Sequence, residues 1–242
     1  MPGLDFVQTL SRDTARVSVI AHPLVGQPTL PMGDGIAATL RPGAKRALDI
    51  LGAGTLLLLT LPVFLVIAAL VRLDGGRPFY AHPRVGRGGR VFGCLKFRSM
   101  VADADRRLAA LLESDASARA EWETTRKLKN DPRVTWVGRF LRATSLDELP
   151  QLVNVLKGDM SLVGPRPVQQ AELTAYYGGG AAHYLSVRPG ITGPWQISGR
   201  NDTSYAQRVA LDVAYATHPS LLRDIKILLR TPAAVLARRG AY

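Results

Sequence analysis

The chain has 242 residues and carries 31 lysine and arginine side chains against 19 acidic ones, a formal net charge of +12. Its length suits one domain with a core, with or without a membrane anchor, and leaves little room for a second full domain. The composition, 47% hydrophobic and 21% charged, excludes a disordered chain, and the single Cys94 excludes an internal disulfide framework. The positive charge favours an anionic partner such as nucleic acid, anionic lipid or a phosphorylated substrate.

The first residues do not have the pattern of a secretory signal. Asp5, Arg12 and Asp13 interrupt this stretch, and scattered proline and glycine residues disfavour regular structure. We therefore predict a loosely ordered leader over residues 1–44.

An apolar segment follows the leader. Residues 50–71 include no charged side chain, and about 22 residues in a helix reach about 33 Å, enough to cross a hydrocarbon core of about 30 Å. Pro62 lies near the middle, and basic residues such as Arg46 and Arg72 flank both ends. A proline breaks or kinks a helix, and basic flanks on both sides give a span no preferred orientation. A re-entrant hairpin over residues 45–73 fits both features, while a proline-kinked single span stays open as the alternative.

A β-hairpin and a polar helix are predicted next. Residues 79–100 contain the apolar run VFGCLKF and a glycine-rich turn around Gly88, a pattern typical of two short strands. Residues 102–127 contain no proline or glycine and are rich in alanine, leucine, arginine and glutamate, which predicts one helix.

Two further helices are predicted near the carboxyl terminus. They extend over residues 204–216 and 220–229, and Pro232 is expected to break the second. Basic side chains beside the apolar stripe of residues 220–229 favour a position on the membrane surface, with core packing as the alternative.

Two adjacent carboxylates, Asp147 and Glu148, precede an apolar stripe that predicts a helix ending at Gly158. Ser145 and Glu148 have the spacing of a capping box, so a simple helix start is one interpretation of these residues. Pro150 disfavours a start at Ser145 but tolerates one near Asp147. In either register the helix N-terminus favours ionised carboxylates, which both a nucleophile and a magnesium ligand require.

Arginine residues surround this pair in the sequence. Arg142 precedes it, and Arg166 lies between two prolines that fix its backbone, which suits bidentate binding of a phosphate. Residues 188–201, which include Arg200, are rich in glycine, proline, arginine and amide side chains. Such a stretch is typical of a substrate-binding loop, and an irregular connection has the same composition.

Several motifs, in this order, resemble those of the bacterial sugar transferase family, the monotopic phosphoglycosyl transferases that begin polysaccharide assembly on a polyprenyl phosphate. The matching sequences are KRALD from Lys45, the apolar segment around Pro62, KFRSM from Lys96, TSLDELPQLVNVLKGDMSLVGPRP over 144–167, RPGITGPWQISGRN over 188–201 and LDVAY over 211–215. They extend over nearly all of residues 45–242 and leave the leader uncovered. The chain resembles the short form of the family.

The resemblance implies a reaction. Asp147 would attack the β-phosphate of a UDP-sugar to give a phosphosugar-aspartyl intermediate and UMP, and undecaprenyl phosphate would then take the phosphosugar. Glu148, with Asp147, would bind Mg²⁺. The loop over 188–201 and the carboxyl terminus resemble members that start exopolysaccharides with glucose 1-phosphate or galactose 1-phosphate. The residues expected to bind the substrate and its phosphates are Lys96, Arg142, Arg166, Arg200 and Asp212.

We therefore predict a mostly α fold with a short β-hairpin, built from a re-entrant membrane helix and a cytoplasmic α/β catalytic domain over residues 74–242, with amphipathic helices on the membrane surface. The predicted partners are a UDP-sugar, undecaprenyl phosphate and lipid of the bacterial inner membrane, and a homo-oligomer is compatible with the sequence. A non-catalytic membrane scaffold that binds anionic lipid is the alternative function. Nucleic-acid binding is not expected, because the aromatic and recognition motifs of such proteins do not accompany the charge.

Overall fold

The structure is a computed structural model, and it describes residues 35–73, 75–125, 128–199 and 203–236. Most of the predicted leader, residues 1–44, therefore lies outside the described residues. Within the described part, helices predominate, with a short antiparallel hairpin and a short parallel strand pair. This confirms the predicted mostly α fold with a β-hairpin.

The longest element is helix α1, Gly35–Leu73. It continues through Pro62, so the break expected in the helix at this proline is absent. Proline removes one main-chain hydrogen bond, and it can bend a helix without ending it. Among the described residues, Gly43–Leu73 is the stretch long and apolar enough to cross a membrane, judged by length and composition. Its middle is exposed, with Leu58 and Leu59 each 71% accessible.

Both halves of α1 pack against the rest of the chain. Ala53 in the first half belongs to a buried cluster that includes Val155 and Leu162. Ile67 and Val71 in the second half belong to another cluster that also contains Phe97, Val137 and Leu141. The two ends of the apolar segment therefore contact the same folded domain, and the exposed apolar part lies between them.

The predicted hairpin is present. Strand β1, Phe79–Val85, pairs antiparallel with strand β2, Val91–Phe97. The turn between them includes a 3-10 segment in which Gly88 and Gly89 have φ values of 69° and 80°, a region that glycine adopts readily. The glycine-rich sequence therefore marks the turn.

The predicted polar helix over residues 102–127 is two helices, α2 (Ala104–Ser114) and α3 (Ala116–Thr125). Asp115 separates them, because its Oδ1 accepts hydrogen bonds from the main-chain N–H groups of Ser117 and Ala118 at 2.8 and 3.0 Å. A side chain that caps a new helix competes with continuation of the old one. The prediction of one helix was wrong for this reason.

The remaining elements follow in chain order. Helix α4 precedes the carboxylate pair, α5 follows it, and strand β3 pairs in parallel with β4. A π-helical turn at Leu173–Tyr177 follows α6. The bounds are α4 Trp136–Thr144, α5 Gln151–Lys157, β3 Ser161–Val163, α6 Gln170–Glu172, α7 Ala181–Ser186, β4 Gly190–Thr192, α8 Pro194–Ile197, α9 Tyr205–Thr217 and α10 Leu221–Leu236.

Helix α10 has one buried and one exposed face. Asp224 and Ile227 are buried, while Leu222 and Leu229 are 62% and 75% accessible. This is the amphipathic pattern predicted for a membrane-surface helix. Pro232 does not break it as expected, since the helix continues to Leu236.

Candidate active site

The carboxylate pair lies in a 3-10 turn, Leu146–Glu148, between α4 and α5. Ser145 ends α4 in the left-handed conformation with φ 59°, and its side chain makes no capping hydrogen bond. The capping-box interpretation of Ser145 and Glu148 was therefore wrong. Helix α5 begins after Pro150, which is the late start that this proline favours.

Helix α5 is fastened to strand β2 by one buried side chain. Asn154 accepts a hydrogen bond from the Leu95 N–H and donates one to the Gly93 carbonyl, both at 2.9 Å. These bonds satisfy two main-chain groups of β2. They also place Lys96, the next residue along the strand, beside the carboxylate pair at the other end of α5.

Lys96 contacts both carboxylates. Its Nζ lies 2.8 Å from Glu148 Oε1 and 3.3 Å from Asp147 Oδ2. The side chains of Lys96, Asp147 and Glu148 are 27%, 12% and 22% accessible, so the cluster is half-enclosed and still open to solvent. Lys96, Asp147 and Glu148 therefore form one ionic cluster.

Burial and charge act in opposite directions on this cluster. Burial raises the pKa of Asp147, Lys96 opposes that effect, and the net pKa is above the usual value. Burial lowers the pKa of Lys96, but the carboxylates of Glu148 and Asp147 outweigh it and the net pKa is raised. Lys96 is therefore a permanent cation, and it limits the cost of ionising Asp147.

Two predicted arginines lie at the rim of the cluster. Arg166 Nη1 lies 4.0 Å from Glu148 Oε1, a distance for ionic attraction but not for a hydrogen bond. Arg142 donates from Nε to Ser99 Oγ at 2.9 Å, and its charge lowers the pKa of Asp147. Both guanidinium groups are near enough to act on an anion bound there.

A small cavity opens at this point, and three of its nine lining residues are basic. Arg84 lies there, and its Nη1 is 2.9 Å from Glu172 Oε1. The lining residues are Arg84, Cys94, Lys96, Glu148, Gln151, Arg166, Pro167, Gly190 and Ile191. An anionic group such as a phosphate is the ligand that such a lining attracts.

Two predicted residues remain, Arg200 and Asp212. Arg200 lies outside the described residues. Asp212, on α9, is fully buried and accepts a hydrogen bond from the Tyr177 hydroxyl at 2.8 Å. Burial raises its pKa to about 6. Asp212 is not among the residues that line the cavity.

The sequence reasoning missed a group of side chains behind Arg166. The guanidinium of Arg166 lies 5.5 Å from the Trp195 ring centroid, and that of the buried Arg208 lies 4.9 Å from the same ring. Arg208 also lies 5.0 Å from the Tyr205 ring. Trp195 lies within residues 188–201, for which both a substrate-binding loop and an irregular connection fitted the sequence. Its contact with Arg208 on α9 depends on tertiary structure that no sequence spacing reveals.

The donor set fits Mg²⁺ only in part. No group of three or more histidine, cysteine, aspartate or glutamate side chains gathers into a metal site within the described ranges. Asp147 and Glu148 supply two carboxylates, and Mg²⁺ is commonly held by one or two carboxylates with waters and substrate phosphates. The pair therefore suits a metal that arrives with a phosphorylated substrate rather than one held by the protein alone.

The family match and the individual relatives of this chain agree with one another. The bacterial sugar transferase family matches residues 40–238 of the chain. The exopolysaccharide production protein ExoY of Rhizobium meliloti is 50% identical over 214 residues, which cover 88% of this chain and 94% of that protein. The UDP-glucose:undecaprenyl-phosphate glucose-1-phosphate transferase of Caulobacter vibrioides is 40% identical over 223 residues, covering 84% of this chain and 78% of that protein.

A third relative is much longer than this chain. The UDP-galactose-lipid carrier transferase of Erwinia amylovora is 54% identical over 198 residues, which are 82% of this chain but only 41% of that protein. By the family match and these identities, the chain belongs to the bacterial sugar transferase family.

Proposed function

We propose that this protein transfers a hexose 1-phosphate from a UDP-hexose to undecaprenyl phosphate and so begins exopolysaccharide assembly. The observation that carries the proposal is the state of Asp147. Its side chain is 12% accessible, and its carboxylate accepts one hydrogen bond from the described residues, from Lys96 at 3.3 Å. A carboxylate held in place with lone pairs available is what a nucleophile requires.

The sugar is inferred from the names of the relatives. One is named for UDP-galactose and another for UDP-glucose, and the second is also named for undecaprenyl phosphate. We therefore favour galactose or glucose as the hexose and undecaprenyl phosphate as the acceptor.

The reaction balances in two displacements. In the first, an Asp147 carboxylate oxygen bonds to the β-phosphorus, and the bond from that phosphorus to the bridging oxygen breaks, so UMP leaves with the bridging oxygen. In the second, a phosphate oxygen of the acceptor bonds to the same phosphorus, and Asp147 leaves as a carboxylate. No proton has to be moved in either step, because both nucleophiles are anions.

The surrounding charges have separate tasks in this proposal. Lys96 keeps Asp147 ionised, and Arg166 and Arg142 offset charge on the phosphates. Glu148, with Asp147, would hold Mg²⁺, which supplies charge neutralisation at the diphosphate when it is bound.

We further propose that the domain sits on the cytoplasmic face of the inner membrane and that α1, although continuous through Pro62, enters and leaves the membrane on that face. Basic residues such as Arg46 and Arg72 flank both ends of the apolar segment. Both halves of α1 also pack on the same domain. Tags at the two termini should both be protected from a periplasmic label, and labelling of one of them would contradict re-entry.

The deciding experiment measures UMP released from a panel of UDP-sugars by the detergent-solubilised protein with undecaprenyl phosphate. We expect release with UDP-galactose or UDP-glucose, and loss of about a thousandfold or more in Asp147→Asn. Asp105→Asn, the same change at an exposed position on α2, is the matched control. Intact-mass measurement without acceptor should show a hexose-phosphate adduct in the wild type and none in Asp147→Asn.

Full turnover by Asp147→Asn would overturn the assignment of Asp147 as the nucleophile. Binding to anionic lipid vesicles with no UMP release from any UDP-sugar would instead favour the scaffold function.

A further inference from the structure

Two of the family motifs have no task in the proposed reaction, and they meet in one buried cluster. From KRALD, Lys45 donates from Nζ to Ser161 Oγ at 2.7 Å and lies 3.0 Å from Asp224 Oδ2. From LDVAY, the Tyr215 hydroxyl donates to Asp224 Oδ1 at 2.7 Å. The membrane helix α1, strand β3 and helices α9 and α10 therefore converge on Asp224.

The second carboxylate of the cluster is equally well bonded. Asp49 Oδ1 accepts hydrogen bonds from Ser161 Oγ and from the Leu162 N–H, both at 2.9 Å. Asp49 and Asp224 are each 1% accessible. We call Lys45, Asp49, Asp224 and Tyr215 the latch.

A neighbouring residue ties α1 to the helix that follows the catalytic pair. Arg46 donates to the carbonyls of Val155 and Leu156, at 2.6 and 2.9 Å, in the last turn of α5. A cation there satisfies carbonyls that have no partner within the helix and complements the helix dipole. Asp147 and Glu148 lie just before the other end of the same helix.

A buried ionic cluster is a poor way to gain stability, since removing the charges from water offsets most of their attraction. It is a good way to fix one register, because the charges and hydrogen bonds are satisfied in one position only. Apolar contacts alone, such as those of Ala53 and Leu57, would tolerate a small slide of α1 along the domain. The latch does not.

We propose that the latch residues are positioning residues that hold the catalytic cavity at a fixed height and tilt over the membrane. This rests on the proposed function, in which the donor is water-soluble and the acceptor phosphate is carried by a lipid. A UDP-hexose reaches the cavity however the domain is placed. The phosphate of a membrane-bound acceptor reaches it only when the placement is right.

The latch should therefore matter for the second displacement and not for the first. The test uses the full chain in nanodiscs and Asp224→Asn, which keeps the shape of the side chain and removes its charge. Without acceptor, UMP from the wild type's preferred UDP-hexose should appear as a burst of about one per enzyme, within about twofold in rate of the wild type. With undecaprenyl phosphate, steady-state kcat/KM for the acceptor should fall about tenfold or more.

Two further variants make the result decisive. Asp105→Asn places the same change in the first turn of exposed helix α2 and should leave both measurements unchanged. Tyr215→Phe removes only the hydroxyl that holds Asp224, and it decides the matter if Asp224→Asn does not fold. It should show the same selective loss, of about threefold or more.

Each remaining outcome counts against a named claim. Equal loss of burst and turnover, or no loss of either, would overturn the latch as a positioning device. A wild type that releases no UMP from any UDP-hexose would overturn the proposed function, and the latch inference with it.

Discussion

Two clusters of this molecule have the same ionic composition and different surroundings. Lys96, Asp147 and Glu148 form one, and Lys45, Asp49 and Asp224 form the other. The two lysines are almost equally accessible, at 27% and 26% of the side chain. The carboxylates differ, because those of the second cluster are at most 2% accessible while Asp147 and Glu148 are 12% and 22%.

The difference lies in the additional donors. Asp49 accepts from a hydroxyl and a main-chain N–H, and Asp224 accepts from the Tyr215 hydroxyl. Asp147 accepts only the 3.3 Å bond from Lys96 among the described residues. A cluster whose lone pairs are occupied is suited to hold structure, and one with a free carboxylate oxygen that solvent can reach is suited to react.

Among the substitutions that test this comparison, Glu148→Gln should reduce UMP release the most. The amide keeps the shape of the side chain but loses the charge that a magnesium ligand supplies, so UMP release should fall about a hundredfold or more. The Mg²⁺ concentration for half-maximal rate should rise as well, and a titration of rate against Mg²⁺ measures both. Glu113→Gln, at an exposed position on α2, is the control. An unchanged Mg²⁺ dependence in Glu148→Gln would show that Glu148 does not bind the metal.

Lys96→Met should have the next largest effect, about ten- to a hundredfold at neutral pH. Burial raises the pKa of Asp147 and Lys96 opposes it, so removing Lys96 raises that pKa further. Less Asp147 is then ionised at a given pH, and the acid limb of kcat/KM should move to higher pH. A pH–rate profile measures the shift, with Lys129→Met, an exposed lysine, as the control. If the acid limb of kcat/KM did not move in Lys96→Met, Lys96 would not control the ionisation of Asp147.

Features that depend on neighbouring residues, such as turns and helix ends, could be predicted from the sequence. Features that depend on distant contacts could not. The hairpin and the Gly158 stop were recognisable because turn glycines and strand alternation act within a few residues. The split at Asp115 was missed because a capping aspartate looks like any polar residue inside a helical pattern. The strand pair Ser161–Val163 and Gly190–Thr192 has three residues on each side and offers no periodicity to detect.

The site was predicted by motif resemblance more than by physics. Asp147, Glu148 and Lys96 lie in one cluster, but the spacing of Ser145 and Glu148 alone fitted a capping box that the structure does not contain. The second Lys–Asp–Asp cluster was invisible in the sequence, since Asp49 and Asp224 are far apart in the chain and nothing local indicates that one lysine serves both.

A third carboxylate sharpens the comparison, because Asp212 is as buried as Asp49 and less well satisfied. Its Oδ2 accepts from Tyr177, while its Oδ1 has no partner in the part of the chain that the structure describes. Burial raises its pKa from 3.8 to about 6. Relative to the fully protonated form, the free energy of unfolding is unaffected below pH 3.8 and falls as the pH rises from 3.8 towards 6, because only the unfolded chain then loses the Asp212 proton. The total loss is about 3 kcal/mol at most.

Asp212→Asn does not titrate, so it should be about as stable as the wild type near pH 4 and more stable at pH 7.5. Melting temperatures in detergent at the two pH values measure the difference, with Asp105→Asn as the reference. The KM for the UDP-hexose should change little, because Asp212 does not face the cavity. A stability gain that is equal at both pH values would contradict the raised pKa. A large rise in KM would place Asp212 in substrate binding.

The smallest effect should come from Trp195→Phe, which tests what holds Arg166 opposite Glu148. The Arg166 side chain is 37% accessible and lies 4.0 Å from Glu148, too far for a hydrogen bond. The Trp195 ring, whose centroid is 5.5 Å from the guanidinium, is its other side-chain contact among the described residues. A cation–π contact at such a site contributes about 0.5–1 kcal/mol, and phenylalanine retains part of it.

We therefore expect the KM for the UDP-hexose to rise about two- to fivefold in Trp195→Phe, with kcat unchanged. Trp136→Phe, a ring that is 65% exposed on α4, is the matched control and should leave both constants unchanged. A fall in kcat at constant KM would assign Trp195 to the transition state instead. No change in either constant would mean that Arg166 is held by main-chain rigidity around Pro165 and Pro167 and not by the Trp195 ring.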